Sequence, residues 1–183
     1  MIHATEHGGI DVATESQHDD RFDPKLIGIR SFRIEDQIHV TDLFRDGRLQ
    51  GQPQPNDTAV DIDDIPDAYF FDRRSHFWIA EYLDRVVGMV GVAGDEWNVA
   101  EIRRLRVAPP MQGLGVETKL LEVALPFCRQ HGYLKVVLDT HMERGPAMEL
   151  FDRFAFQHHR TKTIHEKDLH EFYLDLYRSP KLN

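Results

Sequence analysis

The stretch from Val107 to Thr118 constrains this chain more than any other. A β-type run ends at Val107, Pro109-Pro110 cannot continue as a paired central strand, and Gly113-Leu114-Gly115 lead into a helical pattern. A helix start leaves its first amides without carbonyl partners, and the macrodipole adds positive potential at the same place. Gly113 and Gly115 carry no side chain that would hold an anion away from those amides. The junction therefore reads as an anion cradle built from Gln112, Gly113, Leu114, Gly115, Val116, Glu117 and Thr118. It lacks the third Gly of a dinucleotide fingerprint and the Gly-Lys-Ser/Thr end of a P-loop, so neither nucleotide fold is indicated.

The flanks of the cradle sharpen the reading. His76–Tyr82, Val86–Val92 and Val99–Val107 are β-rich runs joined by short turns at Leu83-Asp84-Arg85 and Gly94-Asp95-Glu96, which is a meander. Downstream, Leu120, Leu121, Ala124, Phe127 and Cys128 recur at helical spacing, with Gly132 as the cap. Pro126 inside that pattern removes a helical hydrogen bond and predicts a kink. Leu134–Asp139 is the next strand, so strand, crossover helix and strand form a right-handed parallel βαβ unit. Pro146, Ala147, Leu150, Phe151 and Phe154 mark a second helix, and two closing strands are expected at 156–163 and 171–177. Near the start, Leu26–Arg30 reads as a strand, and Ile34, Ile38, Leu43 and Phe44 as a short helix. Between Gly47 and Asp67, Gly51, Pro53, Pro55, Asn56 and Pro66 indicate a loop containing a helix start. Its Asp57, Asp61, Asp63, Asp64 and Asp67 read as a solvated face, the functional alternative being an acidic lip over an amine site.

Length and charge exclude several classes. A chain of 183 residues suits one domain, expected at 26–178 between a flexible polar tail at 1–25 and a short tail at 179–183. A formal net charge of −9 argues against a general nucleic-acid binder, which needs cations to neutralise phosphates. No apolar run has bilayer-spanning length and the first residues lack a signal-peptide pattern, so a cytoplasmic protein without membrane contact is expected. The single Cys128 excludes an intramolecular disulfide and reads as core. His3, His7 and His18 are irregularly spaced, and His158-His159 point to opposite faces of a strand, so no metal site is expected.

Leu105-Arg106-Val107-Ala108-Pro109, then Gln112-x-x-Gly115, Leu120-Leu121, Gly132-Tyr133 and Ala147-x-x-Leu150-Phe151 together resemble the GNAT acetyltransferase superfamily. The resemblance covers about residues 27 to 177. It implies an α/β fold with a central mixed sheet of six to seven strands and about four flanking helices. It also implies acetyl-CoA as co-substrate, with no metal, and direct acetyl transfer to a primary amine of a small molecule or protein. Family members often form homodimers. The family's phosphate motif ends in Gly or Ala, whereas this chain has Glu117, whose carboxylate would repel a pyrophosphate unless turned to solvent.

By the same resemblance, main-chain groups of Leu105, Arg106 and Val107 pair with the pantetheine arm, and the parallel strands ending at Val107 and Asp139 splay to admit the thioester. Glu101 matches the family's frequent general base, acting directly or through one water; beside Arg103 and Arg104 it reads equally as a strand-pairing carboxylate. The Val107 amide is the expected oxyanion donor. Phe151, in the helix lining the cofactor, stands where many members carry the Tyr that protonates the leaving thiolate; Tyr133, His141 and Tyr173 are the spare proton donors. The alternative is a non-catalytic acyl-CoA-binding module with a decayed active site.

Overall fold

The computed structural model describes residues 22–49, 58–164 and 166–177. Within the segment read as an N-terminal tail, Phe22 packs on Tyr82 with ring centroids 5.0 Å apart, and Pro24–Leu26 form a 3-10 turn. The tail histidines, residues 50–57 of the loop, His165 and residues 179–183 lie outside the described part.

Strand β1 (Ile27–Ser31) and helix α1 (Gln37–Asp46), entered through a 3-10 turn at Ile34–Asp36, lead into two short helices. These are α2 (Val60–Asp63) and α3 (Ile65–Phe70), where the sequence suggested one helix start in a loop. Ile62, Ile65 and Tyr69 are buried there, which the acidic composition of the segment conceals. The meander follows as β2 (His76–Tyr82), β3 (Arg85–Gly94) and β4 (Val99–Val107). Helix α4 (Val116–Gln130) then crosses to β5 (Lys135–Thr140). Helix α5 (Arg144–Asp152) and the hairpin β6 (Gln157–Ile164) and β7 (Lys167–Asp175) close the chain.

The seven strands form one mixed sheet in the order β1-β2-β3-β4-β5-β7-β6, with β4 and β5 the parallel pair and the other pairs antiparallel. Alternate side chains of the strands feed two cores. Val90, Val92, Ala100, Ile102, Val136 and Leu138 meet the apolar stripe of α4 on one face. Phe77, Ile79 and Met89 pack under α1, α2 and α3 on the other. Helix α4 runs on through Pro126 and ends as the sequence predicts, in a Schellman cap. Gly132 sits at φ 74°, and the Tyr133 and Gly132 amides donate to the carbonyls of Cys128 and Arg129. Cys128 is fully buried on the core face of this helix, and burial pushes its thiol up to about 12, consistent with a packing role.

The functional feature of the sheet is a fork. Strands β4 and β5 pair only at Val99–Lys135, Ala100–Val136 and Glu101–Val137, after which β4 continues to Val107 and β5 to Thr140 without pairing each other. The parting begins next to a bulge: Gly91 pairs Arg103 and Met89 pairs Arg106, so two residues of β4 oppose Val90, and Arg104 takes φ 55°. A left-handed Arg is strained and persists because its side chain is held. Its guanidinium grips Asp61 of α2 in a two-pronged ion pair (2.5 and 2.9 Å), and the Tyr69 hydroxyl donates to the same carboxylate at 2.5 Å. Burial opposes ionisation of Asp61, but the hydrogen bonds from Arg104 and Tyr69 outweigh it and hold the carboxyl below its ordinary range.

Asp61→Ala leaves the Arg104 guanidinium and the Tyr69 hydroxyl without this partner. We expect a loss of about 2–3 kcal/mol of unfolding free energy, measured by urea titration. A carboxyl lowered in the fold stabilises fully above its unfolded value of about 3.9, and that contribution disappears as pH falls through the lowered value. The acid limb of the stability curve should therefore be shallower in Asp61→Asn than in the wild type.

Candidate functional site

The fork opens into a cleft of about 430 Å³. Its walls are β4 from Glu101 to Arg106 and the run from Leu138 to Met142, with Phe151, Arg48, Leu49, Ile164 and Leu169 completing the lining. Two different chemistries adjoin β4: carboxylates at the cleft wall and, past the end of the strand, a glycine turn.

On the α4 face lies the cradle. The 3-10 turn Pro109–Met111 and the extended Gln112 carry the chain from β4 to the two glycines, which take φ 75° at Gly113 and 95° at Gly115. Left-handed backbone explains both glycines, since a Cβ at either would meet nothing within 4 Å. The turn is therefore uncrowded at both glycines, and it leads directly into the first turn of α4 at Val116, Glu117 and Thr118. Val116 is fully buried and Leu114 exposed, which anchors one side of the turn and leaves the other accessible. Gln112 acts differently from a ligand-facing group: its amide nitrogen donates to the carbonyls of Val107 (2.9 Å) and Arg48 (3.1 Å), tying the turn to the end of β4.

Glu117 departs from expectation. Rather than turning to solvent, it is only 6% exposed, and its Oε1 accepts the Gly113 amide at 3.0 Å. The Gly113 amide thus already donates to a carboxylate, a contact of the kind a backbone amide makes with a phosphate oxygen.

Along β4, Leu105 and Arg106 line the cleft and Val107 is fully buried. The Val107 amide, expected as the oxyanion donor, instead donates to the Gly47 carbonyl at 2.9 Å, and Arg48 forms an antiparallel bridge with Arg106. The cleft-facing edge of β4 is therefore occupied by the segment that follows α1. Sequence alone gives no signal for that contact, because the two segments lie some sixty positions apart. Phe151 lines the cleft while packing on Phe172 (5.0 Å between centroids), and its ring offers no proton. Of the spare donors, Tyr133 is buried with its hydroxyl on the Arg74 carbonyl, and Tyr173 donates to Gln157. His141 alone of the three lines the cleft. Its Nδ1 donates to the Asp168 carbonyl at 2.7 Å, and burial favours the neutral ring.

On the opposite face stand the carboxylates. Glu101, at the last paired position before the fork, holds Arg103 at 2.5 Å. Across the fork, Asp139 lies on the same face of β5, since its neighbour Leu138 is buried in the α4-side core. The local sequence marks Asp139 only as a strand end. Crowding by the surrounding protein, then the charges of Glu171 and Glu101, push its carboxyl above the usual range, although the residue stands exposed at the cleft wall. Glu171 has the opposite character: Arg160 and Lys162 hold its carboxyl down at about 2. No group of three or more metal-ligating side chains occurs among the described residues.

Comparison with known proteins places these features. Residues 40–156, which contain the fork, cradle and both carboxylates, match the sequence model of the acetyltransferase (GNAT) family. N-acetyltransferase 8 of Rattus norvegicus is 33% identical over 118 residues, covering 60% of this chain and 53% of that protein. N-acetylaspartate synthetase of Xenopus tropicalis is 33% identical over 100 residues, covering 54% and 37% respectively. The chain thus spans about half the length, or less, of these relatives. A Salmonella typhimurium protein described as an acetyltransferase and solved with its cofactor acetyl-CoA superposes with a TM-score of 0.71 at 20% identity, covering 84% of this chain and 96% of that one. This last likeness establishes the fold.

The two bonds from the Gln112 amide generate a prediction. Gln112→Ala removes the shared donor to the Arg48 and Val107 carbonyls and should cost about 1–2 kcal/mol in thermal or urea unfolding. Gln112→Glu, which replaces the donor with a second acceptor facing two carbonyls, should cost more than Gln112→Ala.

Proposed function

From the premise that this chain belongs to the acetyltransferase (GNAT) family, we propose that it transfers an acetyl group from acetyl-CoA directly to a primary amine of a small molecule or a protein. The observation that carries the reading is the fork itself: Glu101 and Asp139 line the cleft where β4 and β5 part, and β4 runs on from that cleft towards the glycine turn whose Gly113 amide holds a carboxylate. Residues 26–178 form the catalytic domain in this reading. The name of the N-acetylaspartate synthetase relative, which specifies an acetylated amino acid for that protein, supports a small-molecule amine as one class of acceptor.

Acetyl-CoA supplies a thioester acyl group already activated for attack. The residues divide the remaining work. First-turn amides of α4, from Val116 to Thr118, and the amides of the Gly113–Gly115 turn receive the pyrophosphate, a fit supported by the carboxylate that the Gly113 amide binds now. Leu105, Arg106 and Val107 offer the main-chain edge along which the arm lies, and Phe151 supplies an apolar wall. An alkyl ammonium, with a pKa of about 10, must lose a proton before its nitrogen can attack. Glu101 at the fork accepts that proton, directly or through one water. Asp139 faces it across the opening, and its raised carboxyl pKa fits it to serve as a second base. The leaving thiolate takes its proton from solvent, since Phe151 has none to give.

A second reading, an acyl-CoA-binding module without turnover, is favoured by Phe151 and by the carboxylate of Glu117 inside the cradle. Thiol release from acetyl-CoA across an amine panel, together with calorimetric titration of CoA, separates the two. We expect turnover in the wild type. In Glu101→Gln we expect kcat/KM to fall about a hundredfold with the CoA affinity retained. The acid limb of kcat/KM should lie above the usual carboxylate range and move in Asp139→Asn, because activity rises as the raised Asp139 carboxyl deprotonates. CoA binding without release on any amine would select the binding module, and absence of CoA binding would defeat both readings.

A further inference from the structure

Both places that the acyl carrier would take are filled by groups of the chain itself. The first is the edge of β4 beyond the point where β5 departs. There the Gly47 carbonyl accepts the Val107 amide, Arg48 bridges Arg106, and the Arg48 carbonyl is held by Gln112. Leu49 follows inward. It is 9% exposed and belongs to the core cluster that contains Leu138, Met142 and Phe151, the apolar lining of the cleft. A chain segment that leaves α1 on one face thus passes into the fork and plugs it on the other. The second place is the cradle, where the buried Glu117 carboxylate takes the Gly113 amide.

The chemistry of each occupant matches what it would replace. A peptide carbonyl on the strand edge stands for the amide of the pantetheine arm, an isobutyl side chain for the arm's methylene surface, and a carboxylate for a phosphate oxygen. We propose that Gly47–Leu49 and Glu117 are internal surrogates of the cofactor, and that acyl-CoA binds by exchanging with both. This rests on the reading of acetyl-CoA as the donor. Both surrogates are tethered to the groups they bind, so they compete at high effective concentration. Measured affinity is then the intrinsic affinity multiplied by the fraction of protein whose groove is open. Glu117 contributes twice, since its charge also repels the pyrophosphate that must enter beside it. The residue at this position therefore sets cofactor affinity, and the segment 47–49 sets whether the fork admits the arm.

Three ligands and two substitution sites test the exchange by calorimetry: CoA, acetyl-CoA, and pantetheine, which lacks the pyrophosphate. We expect Glu117→Ala to bind CoA and acetyl-CoA about tenfold tighter or more, with pantetheine unchanged. Its free form should melt lower, because Gly113 loses its acceptor. Glu117→Gln, which keeps an acceptor oxygen and removes the charge, should fall between Ala and wild type. Leu49→Ala should tighten all three ligands. Hydrogen exchange on the wild type supplies the independent readout: added CoA should expose the Gly47–Leu49 amides while the Val107 amide stays protected, its partner exchanged rather than lost. Folded variants that bind CoA no tighter than wild type, or unchanged exchange at 47–49 in the CoA-bound protein, would overturn the exchange while leaving the acetyl-CoA reading intact. A wild type that binds no CoA defeats that underlying reading. If Leu49→Ala fails to fold, the wild-type exchange experiment decides the role of the segment.

Discussion

Everything functional in this molecule depends on two parallel strands ceasing to pair after three residues. A parallel sheet buried between helices gains from continuing its ladder, so separation at Glu101 and Val137 has to be enforced. The enforcement comes from the side of β4 away from the gap. One extra residue opposite Val90 turns the strand, and the Arg104 guanidinium anchors the turn to Asp61 and through it to Tyr69. The ion pair acts as a geometric peg. Its energetic contribution matters less than the direction it gives to residues 105–107.

Parting two strands creates exposed main-chain groups, and unpaired polar groups in a partly apolar cleft are costly. The chain meets this cost with its own segments. Gly47 and Gln112 satisfy the Val107 backbone, Leu49 covers the apolar walls, and Glu117 satisfies Gly113. A strand edge left without its partner strand attracts any nearby extended backbone, and here the segment after α1 supplies it.

The carboxylates on the far face show how neighbours rather than residue types assign character. Glu101, Asp139 and Glu171 lie on adjacent strands. Glu171 is held low by Arg160 and Lys162, whereas Asp139 is raised by the protein around it and then by the charges of Glu171 and Glu101. Nothing in the local sequence Val137-Leu138-Asp139-Thr140 distinguishes Asp139 from a surface aspartate. Its neighbours arrive from positions 101 and 171.

The sequence by itself determined the meander, the crossover helix with its glycine cap, the βαβ unit and the left-handed glycine turn. Each depends on residue preferences acting over a few positions: alternation in the strands, the period of α4, and positive φ at Gly113, Gly115 and Gly132. It concealed α2 and α3 because five aspartates mask the buried Ile62, Ile65 and Tyr69. Only the tertiary structure decided which groups fill the cleft. That Gly47 would take the Val107 amide, that Arg104 would find Asp61, and that Glu117 would fold inward onto Gly113 are matters of competition among possible partners. A hydrogen-bonding group pairs with whatever partner the packed chain delivers to it, and delivery is set by the whole fold.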